Sequence, residues 1–435
     1  MPKILFIRLN MSGTKSTDAM QPLVFAILDH LTPPHYERTF VDDCIEEINF
    51  SVKADLVALT FGTYAAKRAY GVAERFKSQG SVIVMGGFHV TAMPDEASEY
   101  ADSIVIGDAE TTWPQLLSDY ENNKLQRVYK SDNSSPTFST TLNRDVFKGK
   151  KYFPANVVQW GRGCRHNCDF CSVNAFYSGR KSLRPIEEVI HEIKGLDNKP
   201  IFFADDNIFH DKHLFLNFLE QLKPLKKRWA CQISMDVTRE PQLVKLMKEA
   251  GCLMVLFGIE TFSKENLKLM NKGWNLGENN YTQAIATFRK YGIMIYGTFI
   301  FGYDYDTTES FEPAVRFSIK NKLFLANYNP LYPMPGTRLY ERFQKEQRLE
   351  FDKWWLNSGF YYGRTMFRPV SMTPLDLEQG CFENKKKFNS LRSIFYRLTD
   401  LTHIASFRNA VLFLLVNFTN RREVYRKQNK KLGLQ

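Results

Sequence analysis

The sequence predicts an α/β protein with two consecutive parallel-sheet units and a helical tail, and three observations predict it. Short, continuously apolar runs alternate with amphipathic helical stretches through residues 1–130; a second series of the same kind fills 153–345; beyond 346 the strand pattern stops while aromatic and basic residues accumulate. Unbroken apolar runs of four to eight residues are the mark of parallel strands covered on both faces.

In the first unit, KILFIRL (3–9), DLVALTF (55–61), SVIVMGG (81–87) and SIVIG (103–107) read as strands. MQPLVFAILDHL and YAAKRAYGVAERFKSQG have helical spacing, the second closing on Gly80. This is a doubly wound, Rossmann-like sheet, whose ligands sit at the carboxyl ends of the strands. Gly86 and Gly87 end one strand and Gly107 another, and a backbone without Cβ lets a flat ligand approach; a plain turn uses the same residues. Residues 131–152 are polar and read as a linker. The second unit starts at NVVQWG and continues with PIFFAD, WACQISM, CLMVLFGIE, IMIYGTFIFG and LFLANYNPL, each followed by a helical segment. Six strand-helix repeats imply a partial barrel of the TIM type, with its chemistry at the carboxyl ends of the strands.

Hydrophobic residues make up 44% and charged residues 24%, the balance of a globular chain rather than a disordered one. A net charge of +11 admits an anionic membrane face or an acidic substrate, but with no located patch it reads as that of a basic enzyme, without a nucleic-acid partner. The opening MPKILFIRLN turns polar too early for a secretory signal and no apolar run reaches ~18 residues, so the expected location is the cytoplasm. Seven cysteines, three of them within eight positions, suit a metal site in a reducing compartment better than disulfides. Cys44, Cys231, Cys252 and Cys381 read as core residues.

The three are Cys164, Cys168 and Cys171, in Gly163-Cys164-Arg165-His166-Asn167-Cys168-Asp169-Phe170-Cys171, directly after the first barrel strand. Thiolates at this spacing can ligate three irons of a cubane. The missing fourth ligand leaves one iron open, the logic of a catalytic rather than a structural metal site. A zinc knuckle is the competing reading, and it needs a fourth Cys or His that the loop does not supply.

This loop, with Phe170 before its last cysteine, resembles the signature of the radical S-adenosylmethionine (SAM) superfamily. The resemblance implies a [4Fe-4S] cluster whose open iron chelates SAM and whose electron cleaves it to a 5′-deoxyadenosyl radical. PIFFADDNIF resembles the superfamily's second strand and puts Asp205 and Asp206 where acceptors for the methionine ammonium group belong. A cap on the following helix is the alternative for Asp206 and Asn207. LFGIETFSKENLKLMNKG resembles the fourth strand, where Glu260 would meet the SAM amino group or ribose, and Ser234 closes the third. GTFIFGYDYDT and NPLYPMPGTRLY resemble the fifth strand and a later loop.

The first unit resembles the cobalamin-binding domain that precedes many radical SAM enzymes, including anaerobic tetrapyrrole-modifying enzymes and hopanoid methylases. The matching pieces are DLVALTFGTYAAKRAYGVAERFK, VMGGFHVTAMPDEA and VIGDAETTWPQLL. Gly107-Asp108-Ala109-Glu110 stands where the family usually has Gly-Glu-Gly-Glu. The resemblance implies corrin contacts at Thr60, Thr63, Gly86, Gly87 and Gly107. The Asp-x-His-x-x-Gly signature of cobalt-ligating histidines is absent: Asp211-Lys212-His213 lies in the barrel with no glycine after it. His89 reads as structural, so neither a histidine nor the cofactor's own base is expected beneath cobalt. A domain that no longer binds corrinoid is the alternative.

HIASFRNAVLFLLVNFTNRREVYRKQNKK joins an apolar helical run to a basic cluster. It reads as a packed terminal helix or as a helix lying on an anionic membrane. DKWWLNSGFYYGRTMFRP is expected to supply a lid and the substrate pocket. The expected function is a cobalamin-dependent methyltransferase acting on an unactivated carbon of a small-molecule or lipid-like substrate, reduced by flavodoxin or ferredoxin. The rivals are an enzyme of the same architecture that cyclises, couples or oxidises without methyl transfer, and a non-catalytic corrinoid or metal-binding protein. No side chain is singled out as catalytic.

Overall fold

A computed structural model describes residues 1–132, 137–140, 142–275 and 278–432. The first sheet is built from β1 (Lys3–Arg8), β2 (Glu37–Asp42), β3 (Leu56–Thr60), β4 (Val82–Gly86), β5 (Ser103–Ile106) and β6 (Val128–Lys130), all parallel, in the order β2-β1-β3-β4-β5-β6. Strand order reverses between β1 and β3, which is where a doubly wound sheet opens a crevice at its carboxyl edge. The sequence reading found the four inner strands and missed β2 and β6. Both are edge strands: ERTFVD alternates exposed and half-buried positions, and VYK has only Tyr129 buried, so neither forms the apolar run that marks a doubly covered strand.

One face of this sheet is covered by helices Leu23–Leu31 and Thr112–Glu121, around Phe6, Phe25, Trp113 and Leu116. Residues 131–152, expected as a linker, reach this core as well: Phe147 is buried in it, and Lys150 Nζ donates to the carbonyl of Phe40. The other face is covered by helices Ala66–Lys77 and Pro94–Tyr100, and by Trp354, Trp355, Phe360, Met366 and Leu432 from far along the chain. The aromatic segment expected as a lid therefore packs against the front domain. Trp355 Nε1 donates to Glu96 at 2.9 Å, and Trp354 Nε1 to the carbonyl of Pro333 at 2.9 Å.

The second sheet begins with β7 (Asn156–Val158). A small antiparallel hairpin of β8 (Gly161–Arg162) and β9 (Ser182–Leu183) follows, then β10 (Ile201–Phe203), β11 (Trp229–Gln232), β12 (Cys252–Glu260), β13 (Met294–Phe301) and β14 (Leu325–Pro330). Its parallel order β14-β13-β12-β11-β10-β7 is that of an open barrel. Phe203, Trp229, Val255, Phe299 and Tyr328 point to the helix side. Tyr296, Thr298 and Ile300 on β13, with Asn327 and Asn329 on β14, alternate with them and are half-buried on the opposite, inner face. Helices Pro374–Phe388, Leu391–Leu398 and Phe407–Lys427 complete the chain, the first packing on β14. No helix among the described residues is long and apolar enough to cross a membrane.

Candidate active site

The cysteine loop leaves β8 through Gly163, whose φ of +78° is left-handed and where a Cβ would run into the carbonyl oxygen of Arg180. Cys164, Cys168 and Cys171 follow, all free and half-buried, and Cys171 stands at the head of helix Ser172–Tyr177. The loop is tied down by the turn after β10. Both oxygens of buried Asp205 accept from loop amides, Trp160 at 2.9 Å and Gly161 at 2.7 Å, while Asp206 accepts from the Gly163 amide at 2.9 Å. Asn207 Nδ2 reaches Cys164 Sγ at 3.7 Å and Ser234 Oγ at 3.1 Å, and its Oδ1 accepts from the Ser234 amide.

These contacts change two expected roles. Asp205, expected to accept from SAM, has both carboxylate oxygens engaged by the backbone that carries the cluster loop. Asp206 and Asn207 do not cap the following helix, because Asp211 does, accepting from His213 and Leu214. Burial pushes the Asp206 carboxyl up to about 6, against the lowering effect of the Gly163 amide. His166 turns onto Trp274, stacked at 3.8 Å, and Arg165 pairs with Asp236. Phe170 packs edge-on against Tyr303, whose hydroxyl donates to Asp169 at 2.6 Å.

Burial pushes the Cys168 thiol up to about 12, and it lies within electrostatic reach of Lys272, Cys171, Glu260 and Cys164. Such a thiol stays protonated until metal or a cation offsets the desolvation. Among the described residues no three His, Cys, Asp or Glu side chains close around a single ion. Neighbouring thiols that do not converge on one point suit a cubane, where each thiolate takes a different iron.

Glu260 ends β12 at a register shift against β13, in a left-handed conformation at φ +66° that is rare for a residue with a side chain. Its Oε1 pairs with buried Lys272 at 2.6 Å, while Oε2 is buried without a partner. An orphaned carboxylate oxygen beside the cysteine loop fits a donor on SAM, an ammonium or a ribose hydroxyl. Lys272 was not singled out from sequence, although it lies within the quoted LFGIETFSKENLKLMNKG segment.

A cavity of about 600 Å³ opens between the two sheets. The front domain lines it with Thr60, Gly62, Gly86, Gly87 and Gly107 at its strand ends, and with Phe6, Ala58, Val84 and Trp113 deeper along the sheet; the barrel adds Gln159, Phe202 and Tyr177. Thr60, Gly86, Gly87 and Gly107, expected as corrin contacts, thus share the lining of one cavity. Thr63 does not: it is buried in the turn after β3, next to His89 Nδ1 at 3.3 Å. His89 is fully buried among Thr63, Tyr70, Glu96 and Trp355, a structural position.

Arg162, two residues before Cys164, crosses from the barrel to the front domain and pairs with Asp108 at 3.0 Å and Glu110 at 2.5 Å. All three border the cavity. The family's usual Gly-Glu-Gly-Glu is altered here to Gly-Asp-Ala-Glu, and both acids hold the same guanidinium. A basic residue directly before the cluster glycine was the available signal, and it was not used.

The family model described as the radical SAM superfamily matches residues 158–318. Bacteriochlorophyllide d C-12(1)-methyltransferase of Chlorobaculum tepidum is 33% identical over 81% of this chain and 78% of its own length. The chain belongs to the radical SAM superfamily. Bacteriochlorophyllide d C-8(2)-methyltransferase of the same organism is 30% identical, over 76% of this chain and 78% of its own. The solved structure of the cobalamin-dependent SAM radical enzyme OxsB, with aqua-cobalamin and SAM bound, shares the fold: TM-score 0.64 at 12% identity, covering 98% of this chain and 72% of that one. This radical SAM protein is therefore an enzyme of the class that carries a cobalamin-type domain ahead of the barrel, with a [4Fe-4S] cluster and SAM as its cofactors.

Proposed function

We propose that this radical SAM enzyme transfers a methyl group to an unactivated carbon of a small apolar substrate, with cobalamin bound in the cavity between its sheets. The cavity is the observation that carries the reading: it joins the carboxyl edge of the front sheet to the first barrel strands, and Arg162 links its wall to the cluster loop. When bound, the cluster and SAM would supply a radical and the corrinoid a methyl group. Cys164, Cys168 and Cys171 would hold the cluster, and Glu260 the polar end of SAM. The glycine turns after β4 and β5 would let the corrin's face lie on the strand ends. The apolar slot along Phe6, Ala58, Val84 and Trp113 has the character of a pocket for a flat aromatic base. Both named relatives methylate bacteriochlorophyllide d, and the half-buried inner face of the barrel, with Tyr296 and Ile300, suits an apolar ring system or a lipid-like substrate.

The enzyme would work in the cytoplasm with flavodoxin or ferredoxin as its one-electron donor. Seven free cysteines and a reducible cluster call for a reducing compartment. The test is anaerobic reconstitution with iron, sulfide and cobalamin, then turnover with methyl-labelled SAM. Expected are one bound corrinoid, a cob(II)alamin paramagnetic resonance spectrum without imidazole nitrogen coupling, and 5′-deoxyadenosine together with S-adenosylhomocysteine. Protein that makes 5′-deoxyadenosine but binds no corrinoid would move the function to cyclisation, coupling or oxidation.

A further inference from the structure

The last two helices leave an apolar face uncovered. Helix Leu391–Leu398 and helix Phe407–Lys427 sit on the floor of the barrel through Ile394 and Phe413, against Met294 and Phe324, which precede or open β13 and β14. Their outer sides, and the turn between them, carry Phe395 at 53% exposure, Leu401 at 79%, Ile404 at 47%, Phe407 at 85% and Leu415 at 63%. In the longer helix the exposed stripe runs Phe407, Val411, Leu415, Phe418 at spacings of four and three, roughly opposite the buried Phe413 and Asn417. Large apolar side chains scattered singly are ordinary, whereas a contiguous set on two neighbouring helices marks an interaction surface.

Charge decides what covers it. Residues 385–431 hold twelve Lys and Arg against two acids, Asp400 and Glu423, so most of the chain's net charge of +11 is concentrated here. Both acids are buried, as are Lys385 and Arg397, and the remaining ten cations leave the outward charge of this segment basic; Arg392, Arg408 and Arg422 are exposed beside the apolar stripe. Apolar side chains amid unopposed arginines match the interface of an anionic bilayer, hydrocarbon inside and phosphate above. The turn at 399–406 adds Leu401 and Ile404 at irregular spacing, which a fluid hydrocarbon accommodates more readily than a shaped protein groove. The helices lie on such a surface rather than span it.

We infer that the enzyme docks onto anionic membranes through the helices Leu391–Leu398 and Phe407–Lys427, with the barrel floor facing the lipid. The experiment is flotation of the full-length, cluster-loaded enzyme with phosphatidylcholine vesicles, with and without phosphatidylglycerol. The expected result is capture by the anionic vesicles alone, weakened by salt as the Debye length falls from ~10 Å at 0.1 M to ~3 Å at 1 M. The double variant F407E/L415E should lower the captured fraction about tenfold or more, since each change removes an exposed apolar side chain that would insert into the lipid and adds like charge to the membrane's. Its unchanged 5′-deoxyadenosine production would show that it is folded. Three outcomes overturn the inference: no flotation with anionic vesicles, equal flotation of the double variant, or a wild-type dimer that ignores vesicles and that F407E/L415E converts to monomer.

Discussion

The two cofactor ends of this enzyme are built by opposite means. At the barrel mouth every element is a side chain in a fixed place: three thiols, Asp205 and Asp206 gripping loop amides, Asn207 beside a thiol, and Glu260 turned by a bulge toward the loop. At the front domain's edge the cavity is made mostly of backbone turns and apolar walls, with the Arg162, Asp108 and Glu110 cluster at its border. The difference teaches that metal is held by donor chemistry, which one substitution destroys. A large flat ligand is held by shape, which tolerates most substitutions except those that fill the space.

The largest effect separates the two ends outright. Cys168→Ala should remove the cluster and end SAM cleavage, seen as loss of iron, sulfide and 5′-deoxyadenosine, while a cobalamin titration changes little. If corrinoid binding vanishes as well, the ends are one site and the contrast fails.

Arg162→Met addresses the bridge between them. Losing one partner of a fully buried ion pair typically costs ~3–5 kcal/mol, and the cost here should fall below that range because Asp108 and Glu110, left without their cation, are only half-buried. The variant should unfold at lower denaturant concentration and bind both cluster and corrinoid more weakly. An effect on one cofactor alone would show that Arg162 serves that end only.

Gly87→Ala sharpens the shape argument. Gly87 has φ +107°, and a Cβ would sit 2.7 Å from the carbonyl oxygen of Phe61, so the turn must shift at a cost of ~1–3 kcal/mol. Cobalamin affinity should fall about tenfold with iron content intact. Unaltered affinity would mean that the corrin does not rest on this turn.

The smallest effect is a pH dependence confined to the front domain. Burial raises the Glu96 carboxyl, but hydrogen bonds with His89, Trp355 and Tyr70 outweigh it and hold the group at about 2, against an ordinary value of 4.5. A depressed carboxylate stabilises the folded state fully above pH 4.5 and loses that contribution as pH falls toward 2. Tryptophan fluorescence of metal-free protein should show wild type losing its advantage over Glu96→Gln across that window. A constant difference down to pH 2 would break the assignment.

How far the sequence could be read follows the same division. The grouping of Cys164, Cys168 and Cys171 was legible because cysteines at short fixed spacing are a local pattern. Their supports were not: Asp205 and Lys272 act on segments 44 and 12 residues away, on the Gly161 amide and on Glu260, and nothing local tells an acceptor for a cofactor from one for a backbone amide. The four inner strands of the front sheet announced themselves by unbroken apolar runs, while β2 and β6 are half-exposed and did not. Thr63 and the Trp354-Trp355 pair failed for a shared reason. A hydroxyl after a strand or an aromatic cluster after a barrel looks the same facing a ligand as facing a core, until the partners Glu96 and His89 are seen.

Trp354, Trp355, Phe360, Met366 and Leu432 complete the front domain's core, although they follow the barrel in the chain. On the ribosome, the front domain therefore emerges before the barrel and is finished after it. At ~5–20 residues per second, the roughly 300 residues from β6 to Leu432 take about 15–60 s to synthesise, during which one face of the sheet waits half-covered. A nascent domain in that condition exposes apolar sheet surface, and a truncation before Trp354 would leave that face without its last five core side chains.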